Sequence, residues 1–182
     1  MDETFLLHFD DMARLTRDFT SSITDLEKAL AGEKPFGQTA IYDALIMSLD
    51  HMQGAMNSKK AILLITDGVD NVSLHTLDEA VDAIKKSRVA VYTVGLLSSV
   101  GGQKAEDSLI RIAEASGGRA FFPENSEQAQ SVMERVARDL REQYTVGYFP
   151  TNPARDGSWR SVRVEVVPPP IVHPTPKWNA NY

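Results

Sequence analysis

The stretch Lys59-Lys60-Ala61-Ile62-Leu63-Leu64-Ile65-Thr66-Asp67-Gly68 constrains this chain more than any other. A strand with one wet face alternates in polarity, and this one does not. Its unbroken apolar run, bounded by lysines and by Thr-Asp-Gly, reads as a strand buried on both faces, the mark of a parallel sheet covered by helices on each side. Residues 89–97 (VAVYTVGLL) form a second run of the same kind. Between the two, Thr76-x-x-Glu79 is a capping box that opens a helix with Ala80, Val81 and Ile84 turned inward. Lys85, Lys86 and Arg88 close that helix, where cations suit its dipole.

The rest of the chain keeps the alternation. Residues 4–9 (TFLLHF) read as a short strand stopped by Asp10-Asp11, and 13–19 (ARLTRDF) as a half-exposed edge strand. A short helix is expected over 22–31, with Leu26 and Leu30 on one face, and a longer one over 39–52, stopped by Gly54. Further on come a helix over 107–115, beginning at Glu106-Asp107, a short strand at 120–122, and a helix over 126–142. Its stripe of Ala129, Val132, Met133, Val136 and Leu140 has helical spacing. Residues 144–149 and 159–167 read as a C-terminal antiparallel pair, followed by an extended tail rich in proline. The expected fold is therefore an α/β, doubly wound, mostly parallel sheet with helices on both faces, plus that C-terminal pair. Residues 1–143 form the α/β domain, 144–167 a hairpin extension and 168–182 the tail.

Composition excludes several classes of function. The chain has 182 residues, a net charge of -6 and no cysteine, so thiolate zinc sites, disulfide scaffolds and thiol nucleophiles are ruled out. A pI near 5.2, with scattered basic residues, argues against a nucleic-acid partner. No apolar run reaches the length of about 18–20 residues that a membrane span needs.

In doubly wound sheets ligands bind outside the carboxyl ends of the strands. That directs attention to Thr66-Asp67-Gly68, the 97–102 loop and the Gly37-Gln38-Thr39 turn. A hard divalent cation takes oxygen ligands, and the Asp67 carboxylate and Thr39 hydroxyl are suited to part of such a shell. Residue chemistry alone favours plain local roles for both, Asp67 beginning a turn and Thr39 capping a helix.

Gly37-Gln38-Thr39-Ala40-Ile41-Tyr42-Asp43-Ala44-Leu45, the strand end Leu63-Leu64-Ile65-Thr66-Asp67-Gly68, and Val91-Tyr92-Thr93-Val94-Gly95 together resemble a von Willebrand factor type A domain. Phe9-Asp10-Asp11, Asp18-Phe19-Thr20 and Tyr144-Thr145-Val146-Gly147-Tyr148 with Thr151-Asn152-Pro153 are similar to a bacterial subgroup related to it. The resemblance covers residues 4 to about 167. It implies a non-enzymatic protein-interaction or adhesion module with a metal-ion-dependent adhesion site. In that family a divalent ion, here Mg²⁺ or Mn²⁺, is held by an Asp-x-Ser-x-Ser loop, a threonine and an aspartate, and bridges to an acidic group of a partner protein. Thr39 matches the threonine and Asp67 the aspartate, with Gly37, Gln38, Gly68 and Asp70 on the implied partner surface. The Asp-x-Ser-x-Ser loop has no counterpart in its place, because the chain begins at the family's second strand. Three arrangements compete: a start at an internal methionine, direct closure of the flanking strands, or a strand donated by a partner chain. The first is preferred, since the rest of the pattern is intact. Oligomerisation or strand exchange stays open, and the subgroup's habits imply an exported location.

Rival readings are a metal-independent scaffold and a small metal-dependent hydrolase. Asp18-Phe19-Thr20-Ser21-Ser22 spells a metal loop, but the arginines before it exclude a buried central strand, so it reads as a strand-to-helix turn capped by Ser21 or Ser22. His8, His51, His75 and His173 lack metal-ligand spacing. Ser73-Leu74-His75 with Asp67 or Asp70 spells a hydrolase triad by sequence alone. Trp159 and Trp178 read as packing residues, and Asp70 and Asn71 as turn formers.

Overall fold

The computed structural model describes residues 2–32, 37–96 and 102–142, and the isolated positions 149, 165 and 167. The chain divides into two units, Met1–Tyr144 and Thr145–Tyr182, and the described elements all lie in the first. Strand β1 (Thr4–Phe9) and strand β2 (Ala13–Thr20) are followed by helix α1 (Ile23–Ala31) and helix α2 (Ile41–His51). Then come β3 (Lys60–Thr66), α3 (Leu77–Lys86), β4 (Val89–Gly95), α4 (Gly102–Glu114), β5 (Ala120–Phe121) and α5 (Ser126–Glu142).

Local chemistry sets several of these boundaries. Asp10 turns the β1–β2 hairpin: its carboxylate accepts the Met12 N–H at 3.2 Å and Arg14 Nη2 at 2.6 Å. The Met12 N–H, opposed by burial and aided by Arg14, holds that carboxyl below its ordinary value. Ser22 caps α1 by accepting the Asp25 N–H, so the Asp18–Ser22 segment is the strand-to-helix turn expected of it. Thr76 and Glu79 make the reciprocal capping box of α3. Gly118 follows α4, and a Cβ there would lie 2.0 Å from the Val91 carbonyl oxygen. Only glycine lets the chain pass so close to β4.

Strands β3, β4 and β5 form a parallel sheet in that order, with Ile62 opposite Val91, Leu64 opposite Thr93 and Val94 opposite Phe121. One face carries Ile62, Leu64, Val89 and Val91, which join Ile41, Leu45 and Leu49 of α2, Ile84 of α3, and Leu109 and Ile112 of α4 in one core. Thr93 is fully buried there and its hydroxyl donates to the Leu109 carbonyl at 3.1 Å, as a buried polar group must. On the other face Tyr92 and Val94 are buried. Phe121 shares that face by register, and the Arg135 guanidinium of α5 lies 5.8 Å from its ring centroid. Helices α2, α3 and α4 thus cover the first face, and α5 approaches the second at β5.

Four expectations need correction. The β3 strand is buried on one face only: Ile62, Leu64 and Thr66 are buried, while Leu63 and Ile65 are 41% and 45% exposed. An unbroken apolar run reports that a strand is central, but the cover over its second face comes from other elements. The sheet is also not single among the described residues, because β1 and β2 form a separate two-stranded antiparallel pair. The antiparallel pair that is seen is thus N-terminal; apart from the isolated positions 149, 165 and 167, the pair expected over 144–167 lies outside the described residues, as does the proline-rich tail. Helix α4 begins at Gly102, a turn earlier than expected, so Glu106 and Asp107 lie within it. Finally Leu30 of α1 is exposed, and that helix has no buried residue.

These burial differences predict a contrast. Leu45→Ala, at a site 1% exposed, leaves a cavity in the core and is expected to cost about 2–5 kcal/mol. Leu63→Ala is expected to cost less than about 1 kcal/mol, since its side chain is already wet. Urea unfolding midpoints check both; equal losses would show that β3 is covered on its second face in solution.

Candidate functional site

The loop after β3 and the first turn of α2 are joined by reciprocal hydrogen bonds. Helix α2 has Ala40 at its N-cap, with no side-chain cap bond of its own. Its first N–H groups therefore need partners from elsewhere. They find them across the fold: the Tyr42 N–H donates to Asp70 Oδ2 and Ser73 Oγ, both at 3.1 Å, and the Asp43 N–H donates to Ser73 Oγ at 3.2 Å. The Ser73 hydroxyl in turn donates to Asp70 Oδ2. In the opposite direction, the Asp43 carboxylate accepts the N–H groups of Leu74 and His75, each at 3.0 Å, and His75 Nδ1 lies 2.7 Å from Asp43 Oδ1.

The Thr39–Ala40 peptide group adds a second tie. The Thr39 N–H donates to Asn71 Oδ1 at 2.8 Å and the Thr39 carbonyl accepts the Asn71 N–H at 3.1 Å. The Ala40 N–H, in the same peptide as that carbonyl, donates to the Asp10 carbonyl at 2.9 Å. The preceding turn rests on the hairpin: the Gln38 N–H donates to Asp11 Oδ1 at 2.6 Å. Gly37 has φ +84°, and a Cβ there would lie 2.5 Å from Asp11 Oδ1. Both the backbone conformation and the space require glycine at that position.

These ties bring the Gly37-Gln38-Thr39 turn against the Asp67-Gly68 strand end. The Thr39 hydroxyl sits 2.9 Å from where a Cβ of Gly68 would stand, so the missing side chain is what admits the threonine. The Thr66 hydroxyl accepts the Gly68 N–H at 3.2 Å and shapes the turn. Asp67 is exposed. Asp70, by contrast, is engaged by α2 and Ser73, so its carboxylate orients the loop. The segment 97–101 lies outside the described residues. The clamping roles of Asp43, Ser73 and Asp11 were not legible in the sequence; Asp43 stood inside the Gly37–Leu45 motif, but nothing in the sequence connects it to a loop thirty residues on.

The triad spelled by Ser73, His75 and Asp67 or Asp70 is not assembled. His75 pairs with Asp43, while Ser73 serves Asp70 and the α2 backbone. His51 is packed rather than ligating: its ring stacks on Phe19 at 4.6 Å and meets Phe5 edge-on at 4.8 Å, with Nε2 3.0 Å from Asp18 Oδ1. A hard cation needs about six oxygen ligands. Among the described residues no group of three or more His, Asp or Glu side chains is placed to share an ion. Thr39 and Asp67 fit part of an oxygen shell; by themselves they do not complete one.

The Asp43 clamp has a pH signature. Burial works to raise its carboxyl, but the N–H groups of Leu74 and His75, with the His75 ring, outweigh it and hold the group below its ordinary value of 3.8. The stability it contributes is complete above that ordinary value and is lost as the pH falls through the lower folded value. Asp43→Asn is therefore expected to flatten the fall in stability between about pH 5 and 2, read from urea midpoints. An acid limb unchanged by the substitution would count against the clamp.

The sequence profile of the von Willebrand factor type A domain matches residues 5–135. No match was found among curated protein sequences. Similar solved structures include an aerotolerance-related membrane protein from Bacteroides fragilis, at TM-score 0.61 and 19% identity, with 78% of this chain and 80% of that one covered. A von Willebrand factor type A protein from Catenulispora acidiphila aligns at TM-score 0.60 and 18% identity, covering 77% and 34%. Proximal thread matrix protein 1 from the mussel byssus, described with a zinc-occupied MIDAS motif, aligns at TM-score 0.55 and 20% identity, covering 75% and 34%. At these identities the likeness is one of fold. The profile match spans most of the chain, and the protein belongs to the von Willebrand factor type A domain family.

Proposed function

We propose that the carboxyl end of β3, with Gly37, Gln38, Thr39, Asp67, Gly68 and Asp70, is a non-enzymatic protein-interaction surface. Domains of this family are commonly interaction modules, which supports the reading. The observation that carries it is the seating of the Thr39 hydroxyl against Gly68, directly beside an exposed aspartate. A hydroxyl seated at a strand end whose next turn carries an exposed carboxylate suits recognition of a partner's polar group.

In this reading Thr39 Oγ1 and the Asp67 carboxylate hold an Mg²⁺ or Mn²⁺ ion, which when bound supplies positive charge toward an acidic side chain of the partner. Partner and water provide the remaining oxygens. Asp70 and Asn71 keep the turn and α2 in register, and Gly68 keeps the threonine close. The zinc-occupied motif of the mussel protein belongs to that protein, and it is the reason to include Zn²⁺ among the ions tested. An exported location is part of the same proposal, supported only by fold relatives such as the Bacteroides fragilis membrane protein. Among the described residues no helix is long and apolar enough to cross a membrane. A second reading, a scaffold that assembles without metal, is favoured by the incomplete donor set.

Thermal unfolding with Mg²⁺, Mn²⁺ or Zn²⁺ separates the two. An ion that binds only the folded state stabilises it by mass action, about 2.7 kcal/mol at a hundred times Kd. The expected result is a rise in Tm with metal that Asp67→Ala and Thr39→Val each remove. A Tm indifferent to every ion would favour the scaffold. Gly68→Ala is expected to displace Thr39 and abolish the same response while costing about 1–3 kcal/mol of stability.

A further inference from the structure

The ring of His51 joins helix α2 to the β1–β2 hairpin through a contact that the candidate site does not use. His51 is the last residue of α2. Its ring stacks on Phe19 of β2 with 13° between the planes, and Phe5 of β1 closes the box edge-on to both rings. Nε2 is sealed from solvent and makes no hydrogen bond among the described residues, although Asp18 Oδ1 stands 3.0 Å away. A buried polar atom without a partner is uncommon in a folded protein and asks for an explanation. The side chain keeps 23% of its exposure, so solvent protons still reach the ring.

The chemistry of this spot favours the cation. A bare Nε2 would set its lone pair against a carboxylate oxygen, so that nitrogen carries hydrogen, and the proton that charges the ring is taken up at Nδ1. The positive ring then faces the Asp18 carboxylate, lies on the Phe19 face and sits at the carboxyl end of α2, where the helix dipole suits a positive charge. Burial works the other way. The remaining charged groups nearby are engaged elsewhere. Arg17 of β2 is bound to Asp25 of α1, and Glu3, just before β1, accepts the Met56 N–H at 2.8 Å. On α2, Asp50 accepts from Gln53, and Lys60 of β3 donates to the Met52 carbonyl at 2.6 Å. Asp18 is left as the acidic group in ion-pair contact with the ring among the described residues.

We propose that His51 is a proton-operated fastener between α2 and the hairpin: taking up a proton turns its contact with Asp18 into an ion pair, framed by Phe5 and Phe19, that draws β1 and β2 more tightly onto the helix. The hold gained is present at low pH and is lost as the pH rises through the histidine range, because the favoured proton is then given up. The far end of the same hairpin carries Asp10 and Asp11, whose carbonyl and carboxylate hold the Ala40 and Gln38 N–H groups. A firmer hairpin therefore steadies the turn that carries Thr39. The device needs no ion at Thr39 and Asp67, so it stands or falls apart from the cation reading.

A double-mutant cycle on the full chain tests this, with His51→Phe and Asp18→Asn followed by urea unfolding at about pH 6 and about pH 8. Phenylalanine keeps a ring in the aromatic box and removes the proton. Asparagine keeps an acceptor for the Phe19 N–H, which Asp18 Oδ1 binds at 2.7 Å. The window lies well above the lowered carboxyl values of Asp10, Asp43 and Glu79. His8 beside Asp10 and His75 beside Asp43 are intact in every variant, so the cycle cancels their share of any pH effect. The coupling between His51 and Asp18, read as a ratio of folding constants, is expected to be about threefold or more at the lower pH and close to one at the higher. His51→Gln, which also empties the aromatic box, is expected to lose stability at both pH values and to show the same flattened pH dependence as His51→Phe. Coupling of equal size at both pH values, no coupling at either, or a wild-type gain on acidification that His51→Phe keeps in full would overturn the proposal.

Discussion

Helix α2 begins without a cap of its own, and much of the molecule's carboxyl edge is arranged around that deficit. Four N–H groups at a helix start have no intrahelical acceptor. Here those of Tyr42 and Asp43 are met by Asp70 and Ser73, residues that belong to the loop after β3. Asp43 answers by binding the backbone of Leu74 and His75. Helix and loop therefore cannot be positioned independently. The placement of Thr39 against Gly68 is a consequence, since Thr39 stands one residue before the helix cap and is tied on both backbone sides to Asn71.

The same region gives β3 its asymmetry. One face is sealed by three helices through Ile62 and Leu64, and the other is left wet at Leu63 and Ile65. Strand β4, with apolar residues in the same register, is buried on both faces. The difference is one of position: β4 has a hydrogen-bonded strand on each side, and β3 has one on a single side among the described residues.

The strands at 4–9 and 13–20, the parallel core strands and the capped start of α3 were legible from apolar runs, turn residues and the Thr76–Glu79 spacing. Each depends on residues within a few positions of one another. The start of α4 was less so, because Gly102 and Gln103 carry no capping signal. The candidate site was legible as residue types, Thr39 and Asp67, through resemblance to the family. Its construction was not: Asp70 and Asn71 read as turn formers, and in the fold Asp70 holds the start of α2 and Asn71 holds Thr39 before it. Their carboxylate and amide look the same in sequence whether they fold back on a neighbouring N–H or reach one thirty residues away.

The sequence by itself determined the element types and their order, because hydrophobic period and capping act over one or two turns of chain. It also determined the absence of thiol chemistry and the family to which the chain belongs. Only the tertiary structure decided which face of β3 is covered, and that the Asp10 hairpin, the Thr39–Ala40 peptide and the Asn71 loop meet at one place. Those outcomes depend on contacts between segments distant in the chain. Such contacts are set by the joint packing of α2 on two separate sheets, and no local pattern encodes them.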